Sequence, residues 1–240
     1  MSYRFFGTLV NDSLTLHSDD IFHLTKVLRV TKDELIEVVC DDKIFFTTVK
    51  SFNPFTLEVK DTKVLKLDDM GKITLLYALP KGDKLEFVIQ KSVELGVSEI
   101  ILVDTERSIG KLKKDKLDAK LSRFEKIIKS AAMQSKRNYL PKVIGPLSFK
   151  EALELDFSLK LFAHEKAVLP LAKVLRERYE LPNTISLFVG PEGGFSEEEV
   201  KKAVASNYLS INFGATILRS ETAPLYGLSV LNNYKEGLKT

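Results

Sequence analysis

Four glutamates crowd a glycine turn near the C-terminal end of the chain. The stretch "LFVGPEGGFSEEEV", Leu187 to Val200, runs from an apolar strand-like segment through Gly190, Pro191, Glu192, Gly193 and Gly194 into a helix start. Many folds hold a phosphate at such a place, because the unpaired N–H groups and the macrodipole of a helix start attract anions. Ser196 and Glu199, three residues apart, make a capping-box pattern, so the helix begins directly after Phe195. Its positive end is therefore already taken by Glu197, Glu198 and Glu199. Each nearby carboxylate opposes a phosphate by about 1 kcal/mol at about 4 Å in water, and by more in a dry cleft. The turn also lacks the spacing and the lysine of a P-loop, which disfavours nucleotide hydrolysis. A ligand that lies flat on the backbone and is neutral or cationic at the contact suits it better, since glycines let main-chain groups approach a purine edge. The plainer reading, in which Gly193 and Gly194 only allow a tight turn, stays open on these residues alone.

A second cluster, "FGATILRSETAP" from Phe213 to Pro224, follows the strand pattern "LSINF". Arg219 and Glu221 stand two residues apart before a helix whose first turn holds Pro224. Alone, the pair is an exposed arginine beside a helix-starting glutamate. Both clusters follow predicted strand ends, however, and ligands of parallel α/β sheets gather there.

The third chemical signal is charge. The net charge of +3 is unevenly spread: residues 1–71 carry 9 Lys+Arg against 12 Asp+Glu, whereas Arg107 to Lys142 carries 12 basic and 3 acidic residues. That density fits a surface meeting a polyanion, or a solvated lysine-rich helix pair. A helix predicted from about Leu117 to Arg137 puts Leu121, Phe124, Ile127, Ile128 and Ala131 on one side. Arg123, Lys126, Ser130, Gln134 and Arg137 form an adjacent stripe, followed by Asn138 and Tyr139, which can hydrogen-bond to bases or stack on them.

The elements that must position these groups fall into two patterns. The first third reads as strands, "LIEVVC", "KIFFTTVKSF" and "FTLEVKDTKVL", with turns at Asp41-Asp42 and Asn53-Pro54, which predicts a small β-barrel or sheet. One helix interrupts it, "DDIFHLTKVLRV", with Ile21, Leu24, Val27 and Leu28 as its apolar stripe and with His23, Lys26 and Arg29 off it. The polar segment "KLDDMGK" at 66–72 marks the boundary between domains 1–71 and 72–240. Beyond it, buried strands such as "ITLLYALP", "EIILVD", "LKLFAH" and "ISLFVG" alternate with helices, which predicts a parallel sheet covered on both faces. Helices are expected over Lys84–Leu95, stopped by Gly96, over about Leu169–Tyr179, and after Pro224.

Composition closes off other classes. The chain has 240 residues, 44% of them apolar and 29% charged, which is globular. No window is long and apolar enough to span a bilayer and no signal peptide is visible, so a cytoplasmic, membrane-free protein is expected. Cys40 has no partner for an internal disulfide and sits in an apolar run, and His17, His23 and His164 show no zinc spacing, so no metal is expected.

Taken in order, "KSVELGV" (91–97), "SAAMQSKRNYLP" (130–141), "VGPEGGFSEEE" and "FGATILRSETA" resemble the RsmE family of ribosomal RNA methyltransferases, and "HLTKVLRV" is similar to that family's RNA-binding segment. The resemblance covers nearly the whole chain. It implies a knotted SPOUT-type α/β domain preceded by a PUA-like β-barrel, a homodimer, and S-adenosyl-L-methionine as cofactor. The implied reaction is methylation of N3 of one uridine in 16S ribosomal RNA, naked or in the small ribosomal subunit. By matching positions, the cofactor would lie against Phe162, Ala163, Gly190, Pro191, Glu192, Gly193, Gly194, Phe213, Gly214, Leu218 and Arg219. Arg219 is expected to hold the uridine or a flanking phosphate and to stabilise developing negative charge, while Glu221, or else Glu192, orients Arg219 or accepts the proton. Arg4, His23, Lys26, Arg29, Arg123, Lys126, Gln134 and Arg137 would grip the RNA. The chain departs from the family at Phe213, usually Leu, at Thr216, usually basic, and at Lys32, usually Gly. The competing class is a non-catalytic RNA-binding or ribosome-assembly factor on the same fold.

Overall fold

The computed structural model describes residues 2–11, 13–65, 72–110, 112, 114–178, 180 and 182–238, with Lys114 and Lys116 described by their backbone alone. The chain forms two compact units, Met1–Asp68 with Ala132–Leu140 and Asp69–Ala131 with Pro141–Thr240. The polar segment read as a domain boundary lies, at 66–71, outside the described residues.

In the first unit, β1 (Tyr3–Val10) and β2 (Ser13–Leu16) precede a short helix α1 (Ser18–Phe22) and a π-helical turn at His23–Val27; β3 (Ile36–Cys40), β4 (Lys43–Phe52) and β5 (Phe55–Val64) follow. They form one sheet in the order β2-β1-β3-β4-β5, with β1 and β3 parallel and the other pairs antiparallel. Phe5, Leu24, Ile36, Val38 and Val49 make its core, and Met133 packs against them. Cys40 is buried at the end of β3, and burial, with Asp41 beside it, raises its thiol pKa.

The apolar stripe expected around Leu24 is corrected at one position. Val27 is 58% exposed, whereas Leu24 and Val30 are buried. The Leu28 amide reaches back five residues to the His23 carbonyl at 2.9 Å, and this wider turn rotates Val27 out of the inward-facing set. Arg29, at φ +54°, ends the turn in the left-handed region, and the Val30 amide then donates to the Leu24 carbonyl at 3.1 Å.

The second unit contains β6 (Lys72–Ala78), α2 (Lys84–Glu94), β7 (Glu99–Asp104), α3 (Lys114–Gln134), β8 (Lys142–Ser148), α4 (Phe149–Glu154), β9 (Leu159–Ala163), β10 (Leu169–Pro170), α5 (Leu171–Arg176), β11 (Thr184–Val189), α6 (Glu197–Ala205), β12 (Leu209–Asn212) and α7 (Thr222–Gly237), the end of α3 belonging to the first unit. Seven strands form one parallel sheet, ordered β10-β12-β9-β11-β6-β7-β8. The continuous buried runs of the central strands β6, β7 and β11 are what burial on both faces requires. Phe149, Phe162, Phe188, Phe195 and Tyr208 stack beneath the sheet's carboxyl end, with Phe162 and Phe195 centroids 4.1 Å apart. The Asn232 side chain of α7 donates to the Leu95 carbonyl at the end of α2.

α3 carries its apolar stripe as read, with Phe124, Ile128 and Ala131 buried. It ends at Gln134, short of the predicted Arg137. Lys136 adopts φ +54° and the Arg137 amide donates to the Ala132 carbonyl at 2.9 Å, which turns Arg137 off the helical stripe. The helix predicted over 169–179 spans only 171–176; Tyr179 lies outside the described residues.

Candidate active site

A cavity of about 680 Å³ opens at the carboxyl ends of β9, β11 and β12. That volume suits a nucleoside-sized ligand, and the place is where parallel sheets bind ligands. Ala163, Gly190, Pro191, Glu192, Gly193, Gly194, Phe213, Gly214, Leu218 and Arg219 all line it, so the structure brings the two strand-end clusters together. Phe162 stands apart from this set: its ring is fully buried in the aromatic cluster, one residue below the rim. His164, Glu165 and Lys84 also line the cavity and carried no sequence signal as site residues.

Local chemistry fixes the glycine turn. The Gly194 amide donates to the Pro191 carbonyl at 2.9 Å, and Gly194 takes φ +65°, which favours glycine. Gly190 has a different reason: a β-carbon there would sit 2.9 Å from the Phe195 ring. Arg107 donates to the Gly193 carbonyl at 2.9 Å.

Three of the four glutamates around the turn are engaged, and Glu197 is exposed. Ser196 and Glu199 form the reciprocal capping box, and Glu199 also accepts from the Glu106 amide at 2.9 Å. Glu198 pairs with Lys201 at 3.2 Å on the surface. Glu192 meets Lys84 Nζ at 3.0 Å and the Lys81 amide at 3.3 Å. Burial pushes Glu192 upward, but hydrogen bonds from its own amide, Lys84 and Lys81 prevail and hold its pKa below the ordinary value. The helix start thus carries its own anions, as the sequence implied.

The loop after β12 is fixed on both sides of Arg219. Asn212 Oδ1 accepts from the Gly214 amide at 3.0 Å, and Asn212 Nδ2 donates to the Ala167 carbonyl at 2.7 Å. Tyr77 at the end of β6 donates its hydroxyl to the Ser220 carbonyl at 3.2 Å, and its pKa is raised, chiefly by burial. The Arg219 carbonyl accepts from the Thr222 and Ala223 amides at 2.9 Å each, while its guanidinium is exposed and makes no ion pair among the described residues. Glu221 does not pair with Arg219. It meets Lys84 at 2.9 Å and Ser220 Oγ at 3.2 Å, and the Lys84 hydrogen bond lowers its pKa most. Among the described residues, no group of three or more His, Cys, Asp or Glu could hold a metal, and no helix is long and apolar enough to cross a membrane.

The residues read as RNA-gripping separate into three kinds. His23, Lys26, Arg29, Arg123, Lys126 and Gln134 are exposed. Arg123 also reaches Glu86 at 2.8 Å. Arg137 is half-buried, with its guanidinium 4.5 Å over the Tyr139 ring, and burial lowers its pKa. Arg4 is turned inward, onto Glu37 and the loop at 136–138.

Would S-adenosylmethionine fit this cavity? The rim supplies main-chain groups from four glycines and the apolar side chains of Val189, Ile211 and Leu218 for a flat nucleoside. Glu165 and Glu192 lie at the same rim and tolerate a cationic sulfonium where they would repel a phosphate. The residues present fit the group.

Comparison with known proteins leads the same way. Residues 68–232 match the RNA methyltransferase domain family. The Bacillus subtilis ribosomal RNA small subunit methyltransferase E is 30% identical, with 95% of this chain and 92% of that one covered. Its Mesomycoplasma hyopneumoniae counterpart is 32% identical, covering 95% and 97%. A Legionella pneumophila methyltransferase structure with bound S-adenosylmethionine superposes with a TM-score of 0.85 at 29% identity, covering 97% and 98%. The Neisseria gonorrhoeae ribosomal RNA small subunit methyltransferase E, bound to S-adenosyl methionine, gives 0.82 at 28%, again covering 97% and 98%.

Proposed function

The chain belongs to the ribosomal RNA small subunit methyltransferase E family, and from that premise we propose that it methylates N3 of a uridine in bacterial 16S ribosomal RNA with S-adenosylmethionine as donor. The observation that carries this reading is the single cavity wall built by the glycine turn and the Arg219 loop, with carboxylates where a sulfonium is tolerated. S-adenosylmethionine, when bound, supplies the electrophilic methyl group. Gly190 to Gly194, Ala163 and Leu218 would hold it.

The protein's own contribution is positioning and charge stabilisation. Arg219, exposed at the rim on a fixed backbone, would hold the uridine or a flanking phosphate and stabilise the anion left when N3 loses its proton. Glu221 is ionised and tied to Lys84, which makes it a poor acceptor for the weakly acidic N3 proton and suits it to an orienting role. The exposed cations of both units would contact RNA phosphates.

The finer architecture belongs to the same proposal. Beyond the seven-stranded parallel sheet, we infer a PUA-like barrel for the first unit and a knotted C-terminal segment. In support of the knot, β12 is separated from β11 by β9, yet α7 returns to pack on β11 and β6. Exposed apolar side chains at Val168 and Ile217 support a homodimer. Calorimetric titration with S-adenosylmethionine tests the function: saturable one-to-one binding supports it, and no heat would leave a non-catalytic RNA-binding factor.

A further inference from the structure

Lys84 joins three elements through one ammonium. It stands at the first position of α2, and its Nζ lies 3.0 Å from Glu192 of the glycine turn and 2.9 Å from Glu221 of the loop after β12. The Lys81 amide, on the same connection, reaches both Glu192 oxygens at 3.3 Å. An ammonium has three donors, so it can serve both carboxylates and remain on the cavity wall, where Lys84 is found.

Resting on the methyltransferase reading, we propose that Lys84 is a positioning residue that locks the two cofactor loops into one cradle and keeps Glu221 away from Arg219. Glu221 lies two residues from the exposed guanidinium, and Arg–carboxylate pairs form readily. With Lys84 removed, the closest cation in sequence to the released carboxylate is Arg219, and a pair between them would neutralise the group meant for RNA. The backbone around Arg219 is already set by Tyr77, Thr222 and Ala223. Its side chain depends on which partner Glu221 chooses.

Each partly exposed pair alone has a small effect, but both act on the same cavity, and together they should change cofactor affinity about tenfold. The test uses the full chain in five forms: wild type, Lys84→Met, Lys84→Arg, Lys84→Met combined with Glu221→Gln, and a Glu192→Gln/Glu221→Gln double variant. S-adenosylmethionine affinity is read by calorimetry, binding of transcribed 16S RNA by filter retention, and folding by thermal melting. Lys84→Met should weaken the cofactor about tenfold and weaken RNA as well, with Lys84→Arg largely restoring both. Adding Glu221→Gln to Lys84→Met should restore RNA affinity while leaving cofactor affinity weak. Should Lys84→Met melt early, the double variant carries the same cofactor prediction from the other side of the bridge. Unchanged cofactor affinity in Lys84→Met, or no RNA rescue by Glu221→Gln, overturns the inference. A wild type that takes no cofactor would instead remove the methyltransferase reading on which it rests.

Discussion

Arg4 and Glu37 form an ion pair closed off from solvent, with Nε to Oε2 at 2.8 Å and side chains only 10% and 9% exposed. Arg4 also donates to Asn138 Oδ1 at 2.7 Å and to the carbonyls of Lys136 and Arg137, while Lys136 Nζ reaches Glu37 at 3.1 Å. The guanidinium therefore ties the loop after α3 to the first sheet. Arg4→Met should lower unfolding free energy by about 2–3 kcal/mol, the scale for breaking a buried pair that keeps a second partner. Urea denaturation followed by circular dichroism measures it. A change below about 0.5 kcal/mol would place Arg4 among ordinary surface cations.

The same pair sets an acid limit. Burial pushes Glu37 upward, but hydrogen bonds from Ser2, Arg4 and Lys136 outweigh it and leave its pKa below the ordinary 4.5. The unfolded chain then takes up the proton first, so this stabilisation is complete above 4.5 and drains away as pH falls through the depressed folded-state value. Glu37→Gln should be less stable at neutral pH and show a flatter loss of stability on acidification. Melting temperatures measured from pH 7 to pH 3 check both parts.

Gly190 sits where its missing β-carbon matters. Gly190→Ala would press on the Phe195 ring and through it on Phe162 and Phe188. Overpacking of this kind costs about 1–3 kcal/mol, and here it moves the cavity wall as well. Both the melting temperature and S-adenosylmethionine affinity should fall. Affinity unchanged at lowered stability would detach Gly190 from the cofactor site.

Lys26 lies exposed on the π-helical turn and Arg29 lies exposed two residues beyond its end. Arg29 already holds φ +54°, so Arg29→Gly removes the charge without straining the backbone. Paired with Lys26→Gln, it should flatten the salt dependence of RNA binding by about 0.7–0.9 log units per lost phosphate contact. An unchanged slope would acquit both residues.

Much of this was legible in the sequence. The capping box at Ser196 and Glu199, the strand at 99–104 and the buried face of α3 rest on local periodicity and local hydrogen bonds, which short windows report well. The roles of Arg4 and Lys84 were not legible, because their partners lie far along the chain: Asn138 is 134 residues from Arg4, and Glu192 and Glu221 follow Lys84 only after several further strands. A lone basic residue looks the same in a sequence whether it meets RNA or an internal carboxylate. Val27 departs from the sequence-predicted stripe for a local reason, since a five-residue hydrogen-bond step breaks the 3.6-residue period on which that stripe depends.

We propose methyl transfer at a cavity that Arg219 completes. Nucleoside mass spectrometry of small-subunit RNA incubated with S-adenosylmethionine tests it most directly, using wild type and Arg219→Ala side by side. One 3-methyluridine per RNA is expected from the wild type, formed about 10²- to 10³-fold more slowly by Arg219→Ala. No methylated uridine from the wild type, or equal rates from the two proteins, would contradict it.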